Sequence, residues 1–367
     1  MEKKRFISHK ITDYCVYLKE ITRLPVKRRS FLKNAAFLTA AAAVAPSLSG
    51  CRRQESVPAV ARNYRYGPDG TFKVLQFTDT HYIAGDPRSE RALSTVREML
   101  DTERPDLVIH TGDILFGRPD LQSAQEILRP IADRGIPFAV ALGNHDSQFG
   151  STREEVFRVI REIPGCVNLP PKEGVYGCSN DVITLSGPDG PDRILYLFDS
   201  MDAVILKGEE EIHSYDYIRF SQLQWYRNHS EAFTKGNGGV PVPSLAFFHI
   251  PLCEVTEGLA NGGRILAGEN QEPPCPSRLN SGLLAQMREM GDVQAIVTGH
   301  DHDCDYVLDY GNMYYIYGRY SGCDTVYNHL GPSGARVFQF TQGARPFRTW
   351  VRLQGGEVRQ DLVLDRP

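Results

Sequence analysis

The chain predicts an α/β layered domain built on mixed sheets, and three features of its sequence carry that prediction. Short β-rich runs recur, each closed by polar residues; stretches of helical apolar spacing separate the early ones; and the carboxy-terminal part turns to closely spaced strands. The first run, 72–78, leads into 89–102, where Leu93, Val96, Met99 and Leu100 share one helical face. A second run at 106–111 is followed by a similar helical pattern at 121–133. The third, at 138–142, is followed by Ser151-Thr152-Arg153-Glu154, a capping box that opens a helix over 152–160. Strands follow at 194–198, 245–248, 293–298 and 313–317, and the chain closes on strands at 336–340, 347–353 and 358–364. The Gly- and Pro-rich tracts 236–243 and 261–276 read as long surface loops, a length at which loops often carry function.

Composition narrows the function. A length of 367 residues, 41% hydrophobic and 23% charged, suits a globular chain with one large core or two small ones and excludes disorder of the whole chain. The net charge is −4, yet ten Lys/Arg against three Asp/Glu fall in the first 50 residues, leaving 31 against 42 beyond them. That acidic remainder makes a poor general binder of nucleic acid or of an anionic membrane surface. No apolar run after residue 50 nears the ~20 residues that cross a bilayer.

The front end reads as an address. Lys27-Arg28-Arg29-Ser30-Phe31-Leu32-Lys33 precedes an apolar, alanine-rich stretch at 35–48 that is too short for a stop-transfer helix. Its Arg28-Arg29-x-Phe31-Leu32-Lys33 core resembles the twin-arginine export signal. Leu48-Ser49-Gly50-Cys51 resembles a bacterial lipobox, whose cysteine becomes the lipidated first residue of the mature chain. The expected organisation has a non-native N-terminal extension at 1–25, which fits no signal pattern, and a signal at 26–51. A polar tether at 52–70, with Pro58, Gly67 and Pro68, then leads into one domain at 71–367. The expected location is the periplasm or the membrane of a bacterial envelope, with a lipid on Cys51 as anchor. Six cysteines follow Cys51; Cys166 with Cys178 is the pairing expected if disulfides form, and buried free thiols fit equally well.

Chemistry collects at the strand ends. The first run ends in Thr78-Asp79-Thr80-His81, and residues two apart in extended chain share a side, so Asp79 and His81 can converge. Alone, a solvated turn gives the same pair. Gly112-Asp113 and Gly143-Asn144-His145-Asp146 close the second and third runs, each glycine permitting a sharp turn that brings Asp113 and Asn144 to a strand tip. His249 closes the 245–248 run, where by itself it suits a core histidine. Gly299-His300-Asp301-His302 closes the 293–298 run, with His300 and His302 on one side and Asp301 on the other. Together, five strand ends supply two aspartates, one asparagine and four histidines, a donor set suited to Fe, Mn or Zn and poor in thiolate. Strand ends of this kind face a common crevice in α/β folds.

This pattern resembles the calcineurin-like metallophosphoesterase superfamily, over essentially all of residues 71–367. The resemblance implies a sandwich of two stacked mixed β-sheets flanked by helices. Asn280-Ser281-Gly282, Phe198-Asp199-Ser200 and the helix containing Trp225 are similar to a branch known in plants and fungi as purple-acid-phosphatase-related. It also implies that Asp79, His81 and His302 hold one metal ion, that Asn144, His249 and His300 hold a second, that Asp113 bridges them, and that His145 faces substrate. Two departures stand out. True purple enzymes carry a tyrosine three residues after the bridging aspartate and lack the first-motif histidine; here Phe116 and His81 stand in those places, so the phenolate colour is expected to be absent. Protein Ser/Thr phosphatases of the superfamily carry an aspartate at the place of Phe116, paired with the catalytic histidine. Nothing in the sequence identifies what orients His145 here, and Asp146 is expected to point away.

The implied activity is that of an exported dinuclear-metal phosphoesterase, hydrolysing phosphate monoesters with hydroxide held between ions about 3.5–4 Å apart. Asp113 would share its charge between the ions, neutral Asn144 would keep them Lewis acidic, and His145 would donate to the leaving oxygen. The alternatives are a phosphodiesterase on nucleotide or phospholipid diesters, with the loops at 202–217 and 254–280 deciding access, and a catalytically silent metal- or phosphate-binding protein. Arg118 and Arg319 can grip phosphate but suit the surface better. His110 is expected to pack as structure, and His213, His229 and His329 to lie on the surface or in loops. Tyr306, Tyr310, Tyr314, Tyr315, Tyr317 and Tyr320 form an aromatic wall or pack between strands.

Overall fold

A strand whose successive residues face two different apolar layers must be buried on both sides, and β-strand geometry separates those residues by alternation. Val74 and Leu75, neighbours in sequence, lie in two different cores here. The computed structural model describes residues 62–207 and 211–366. The expected N-terminal extension, export signal and Cys51 anchor lie outside the described residues.

The chain begins with β1 (Arg62–Arg65), β2 (Thr71–Phe77), α1 (Glu90–Glu103), β3 (Leu107–His110), α2 (Asp120–Asp133), β4 (Phe138–Val140) and α3 (Arg153–Glu162). Its middle supplies β5 (Asp181–Gly187), β6 (Gly190–Leu197), the antiparallel pair β7 (Ala203–Leu206) and β8 (Ile212–Tyr215), and α4 (Phe220–Gly236). Next come β9 (Ser244–Phe247), α5 (Glu254–Ala260), β10 (Arg264–Ala267), α6 (Leu283–Met290), β11 (Val293–Thr298) and β12 (Val307–Tyr310). Four strands close the chain: β13 (Met313–Tyr317), β14 (Gly334–Thr341), β15 (Phe347–Leu353) and β16 (Val358–Leu364).

Two mixed sheets result, ordered β16-β15-β14-β2-β3-β4 and β1-β5-β6-β9-β11-β13-β12-β10. Their facing sides share one core, in which Val74, Ile109 and Phe338 of the first meet Leu195, Leu245 and Val297 of the second. Helices α1–α3 cover the outer face of the six-stranded sheet through Val96, Ile127 and Phe157. Helices α4–α6 cover the eight-stranded sheet through Tyr226, Val255 and Met287. The expected sandwich of stacked mixed sheets flanked by helices is the observed fold. Strands β2, β3 and β4 run parallel, as do β6, β9 and β11, so each sheet delivers its carboxyl ends to one edge.

Several boundaries differ from those read in the sequence. Part of the expected tether, Arg62–Arg65, is β1, in parallel register with Ile183–Ser186. An edge strand needs backbone pairing more than apolar alternation, and three of these four residues are exposed. The tract 261–276 contains β10, a four-residue edge strand antiparallel to β12. The capping box of α3 sits one residue later than expected: Thr152 Oγ1 accepts from Glu155 N at 3.2 Å, and Glu155 Oε2 accepts from Thr152 N at 2.7 Å. Cys166 and Cys178 are separate free thiols. Arg319 is fully buried, not on the surface, and donates to Asp305 Oδ2 at 2.7 Å. His229 is likewise buried, with Nδ1 2.9 Å from the carbonyl of Trp225 on α4.

Buried charge ties α3 to the end of β6. The Arg153 guanidinium donates to Asp199 Oδ1 at 2.6 Å and to the carbonyls of Leu142 and Gly143 at 2.9 and 2.8 Å. Asp199 Oδ2 accepts from the backbone of Cys178 and Ser179. Burial alone would push Asp199 up, but the Arg153 charge and these donors hold it below its ordinary value of 3.8. Asp199→Ala leaves a buried guanidinium without its counter-charge and is expected to destabilise the fold by about 3–5 kcal/mol in urea titrations at pH 7. A carboxyl lowered in the folded state stabilises fully above its unfolded pKa and loses that contribution as pH falls through the folded value. The gap between parent and variant should therefore narrow below about pH 4, and a gap constant down to pH 2 would contradict the assignment.

Candidate metal centre

Five carboxyl ends meet at the edge shared by the two sheets: those of β2, β3 and β4 from one, and of β9 and β11 from the other. Backbone bonds join them, Asp79 N donating to Gly112 O at 3.0 Å, His81 N to Asp113 O at 3.0 Å and Gly299 N to His249 O at 3.2 Å. Asp79, His81, Asp113 and His300 all take left-handed backbone conformations, with φ of 55°, 44°, 52° and 79°. Asp and His enter that region more readily than most residues, though at a cost, and such clusters mark functional sites. Extended chain is not what brings these residues together. Asp79 with His81, and His300 with His302, converge through left-handed turns beyond the strands, not through strand alternation.

The structure brings all seven expected donor residues together around Asp113 Oδ2. His81 Nε2 lies 3.1 Å from that oxygen and His249 Nε2 3.2 Å. Asp79 Oδ1 is 3.7 Å from His302 Nε2 and 3.9 Å from both His81 Nε2 and His249 Nε2. On the far side, His249 Nε2 is 3.1 Å from Asn144 Oδ1 and 3.3 Å from His300 Nδ1. Three overlapping groups arise within the cluster: Asp79, His81 and His302; His81, Asp113 and His145; and Asp113, His249 and His300. All seven side chains are buried.

These residues fit metal ions on two grounds. His249 Nδ1 lies 2.7 Å from Thr111 O and His302 Nδ1 3.2 Å from Tyr327 O; each hydrogen bond fixes a tautomer that turns the Nε2 lone pair inward. Electrostatics agree. Burial pushes Asp79 up, whereas Asp113, equally buried, is held well below the carboxylate range by the imidazoles of His249, His145 and His81. Burial also pushes His81 and His300 well down and His302 down to about 4. His249 rises to about 9 because Asp113 and Asp79 outweigh its burial. Two buried carboxylates thus draw a positive charge into the cluster, and neutral imidazoles stand ready to share it.

The residues that brace the centre were not legible as such. Asp146, expected to point away, turns inward: its carboxylate accepts from the backbone of Gly143 (2.8 Å), Asp113 (3.1 Å), Ile114 (2.7 Å) and Leu115 (3.3 Å). One side chain therefore pins the turns after β3 and β4 together. Those turns touch so closely that a Cβ on Gly143 would sit 2.3 Å from both Asp113 N and Asp113 Oδ1. His110 packs as structure, its Nε2 3.1 Å from Thr80 Oγ1. The Phe116 ring packs against both His81 and His145, 5.0 and 4.8 Å from their centroids, which are themselves 5.5 Å apart. His145 remains partly open, with 29% of its side chain exposed and Nε2 3.9 Å from Asp113 Oδ2. Of the six tyrosines singled out, Tyr320 borders the centre, 5.1 Å from His302, while Tyr306, Tyr315 and Tyr317 are core. Tyr215 and Tyr327, not anticipated, complete the rim beside His300 and His302 at 4.4 and 4.6 Å.

The model of the calcineurin-like phosphoesterase family matches residues 72–304. The chain belongs to that family. Calcineurin-like relatives include the probable inactive purple acid phosphatase 28 of Arabidopsis thaliana, 31% identical over 337 residues that span 79% of this chain and 82% of that protein. Phosphatase DCR2 of Saccharomyces cerevisiae is 27% identical over 78% of this chain and 54% of its own length. A dimetal phosphatase from Danio rerio shares the calcineurin-like fold with a TM-score of 0.54 at 14% identity, over 81% of this chain and 99% of that one.

Gly143→Ala forces the β3 and β4 turns apart while removing no donor side chain. It is expected to lower metal affinity about 10- to 100-fold, as loss of a supporting contact does elsewhere, read by metal analysis after dialysis against graded chelator. Full retention of metal would show that the turn contact does not position the donors.

Proposed function

We propose that the protein is an exported dinuclear-metal phosphoesterase that hydrolyses phosphate monoesters. The observation that carries this reading is the seven-donor cluster on Asp113 Oδ2, with His145 at its open side. Asp79, His81 and His302 would hold one ion, Asn144, His249 and His300 the other, and Asp113 would bridge them; Fe, Mn and Zn suit these donors. Two bound ions supply Lewis acidity and an activated water for in-line displacement at phosphorus. The chain's own part is positional. Asp113 shares one negative charge between both ions, and neutral Asn144 limits the total. His145 Nε2, 3.9 Å from Asp113 Oδ2 on a partly exposed ring, can give a proton to the leaving oxygen. The names of the relatives include phosphatases and proteins termed inactive; the complete donor set here supports catalysis.

A second reading, hydrolysis of diesters, is favoured by the rim. Phe116, Tyr215, Tyr320 and Tyr327 border the centre, an aromatic surround that suits the second organic group of a diester. Protein reconstituted with Mn, Zn or Fe separates the readings on a nitrophenyl monoester and the matching bis-ester. Metal-dependent monoester turnover is expected, with His145→Ala lowering kcat about 10²- to 10⁴-fold at full metal content on an alkyl monoester such as glycerol phosphate, whose alkoxide needs a proton to leave. Asp113→Asn should lose both metal and turnover. Diester preference would promote the second reading, and stoichiometric metal without turnover on either ester would point to a silent binding protein.

Export rests on the Arg28-Arg29 motif and the sequence around Cys51. Replacing both arginines by lysine should retain the protein in the cytoplasm, and Cys51→Ser should move it from the membrane to the soluble fraction. Unchanged fractionation in both variants would remove this part of the proposal.

A further inference from the structure

The His145 ring would need a fixed orientation to exchange a proton at one atom, and Phe116 offers it no acceptor. A polar connection reaches the ring from its other side. His145 Nδ1 lies 2.7 Å from Gln148 Oε1, and Gln148 Nε2 donates to Asp202 Oδ1 at 3.0 Å. The two partners come from different parts of the fold. Gln148 ends the short helical turn 145–147 after β4, its N donating to His145 O at 3.2 Å. Asp202 lies at the foot of the β7–β8 hairpin, where its carbonyl accepts from Asp216 N at 3.1 Å. The connection therefore crosses from the six-stranded sheet's loops to an element following the eight-stranded sheet's β6.

We propose that Gln148 and Asp202 are positioning residues that fix the orientation and tautomer of His145. This rests on the reading of His145 as the leaving-group proton donor. A carboxylate only accepts hydrogen bonds, so Asp202 selects the amide orientation in which the Gln148 NH₂ faces it and the carbonyl faces His145. That carbonyl in turn requires a hydrogen on Nδ1. Proton exchange with the reacting centre is then confined to Nε2, which faces Asp113. As the oxygen of the attacking water bonds to phosphorus and the bond from phosphorus to the leaving oxygen breaks, that bond's electron pair stays on the leaving oxygen, which takes the proton from Nε2. The ring is left neutral with its hydrogen on Nδ1, the tautomer that Gln148 already holds. The neutral amide transmits the orientation set by Asp202 without placing a second carboxylate against the ring.

The test compares Gln148→Ala, Asp202→Ala and the double variant Gln148→Glu/Asp202→Asn, all metal-loaded, on nitrophenyl phosphate and on glycerol phosphate. A nitrophenolate leaves without a proton and an alkoxide does not. Both alanine variants should therefore lose about 10- to 100-fold in kcat on glycerol phosphate, with KM within about twofold, and less than about threefold on the nitrophenyl ester. The double variant exchanges donor and acceptor between positions 148 and 202 while keeping an acceptor at Nδ1, and should restore most of the loss. Equal losses on both esters, losses in KM, or no rescue would overturn the proposal. A second readout is independent of turnover. In the zinc-loaded protein, the Nδ1–H resonance of His145, assigned by its absence in His145→Ala, should vanish in Gln148→Ala while those of His249 and His302 remain. Its persistence would overturn the proposal even if the parent protein hydrolyses neither ester. Absence of turnover together with loss of the resonance would instead fault the hydrolase reading and leave the positioning intact.

Discussion

The carboxylate of Asp113 is the point on which the rest of the architecture depends. Its Oδ2 has His81 and His249 nitrogens at 3.1 and 3.2 Å, and its Oδ1 accepts from His145 N at 2.8 Å. To reach that position, the chain leaves β3 through Gly112, whose φ of +91° and close approach to Gly143 exclude a side chain. Asp113 itself then takes a left-handed conformation, of the kind that costs of order 1–3 kcal/mol unless its surroundings compel it. The compulsion is visible. Asp146 accepts from four successive or facing amides, and Arg153 anchors the carbonyls of Leu142 and Gly143 from behind.

A second consequence concerns how the two sheets stay in register at the site. Apolar packing between sheets is non-directional, and it does not by itself fix the relative height of five strand ends. Buried polar bonds do so here. Arg336 on β14, in the six-stranded sheet, donates to Tyr317 O at 2.8 Å at the end of β13 and to Asp305 O at 2.6 Å. Asp305 also pairs with Arg319, whose guanidinium holds the carbonyls of Leu330 and Pro332. Gln76 on β2 donates to Thr298 O at 3.2 Å at the end of β11. Because buried groups lose stability if any partner is missing, these contacts permit little sliding of one sheet on the other.

Which parts were legible in the sequence follows from the range of the interaction involved. β-rich runs such as Val293–Thr298 and the apolar faces of α1 and α2 are set by local periodicity, and they lie where the sequence puts them. The donor residues were legible because each follows a strand and carries its own chemistry. Asp146, Arg153, Gln148 and Asp202 are common polar residues, each with at least one partner 31 to 54 positions away, beyond the reach of pattern. The strand β1 escaped notice because it is defined by pairing with Ile183–Ser186 rather than by its own alternation. The left-handed turns were hidden for a further reason: they place Asp79 and His81 on one side, the same result that extended chain would give by a different route.

The same division separates what is fixed in this centre from what is adjustable. The donors come from turns locked by Asp146, by glycine contacts and by the sheets beneath them, and displacing one strains several. The rim comes from elsewhere. Asp202 and Tyr215 belong to the two ends of one hairpin, the first connected through Gln148 to His145 and the second packed on His300. Tyr327 reaches His302 from the segment before β14, and the carbonyl of the same residue faces His302 Nδ1. A change in the hairpin can alter what approaches the opening, and how His145 is held, without moving a donor, whereas the Tyr327 segment also orients His302. Under the proposed hydrolase reading, shape and polarity of the leaving group would therefore be read by the hairpin and the Tyr327 segment, while the chemistry at phosphorus would be set by strand ends locked to one another.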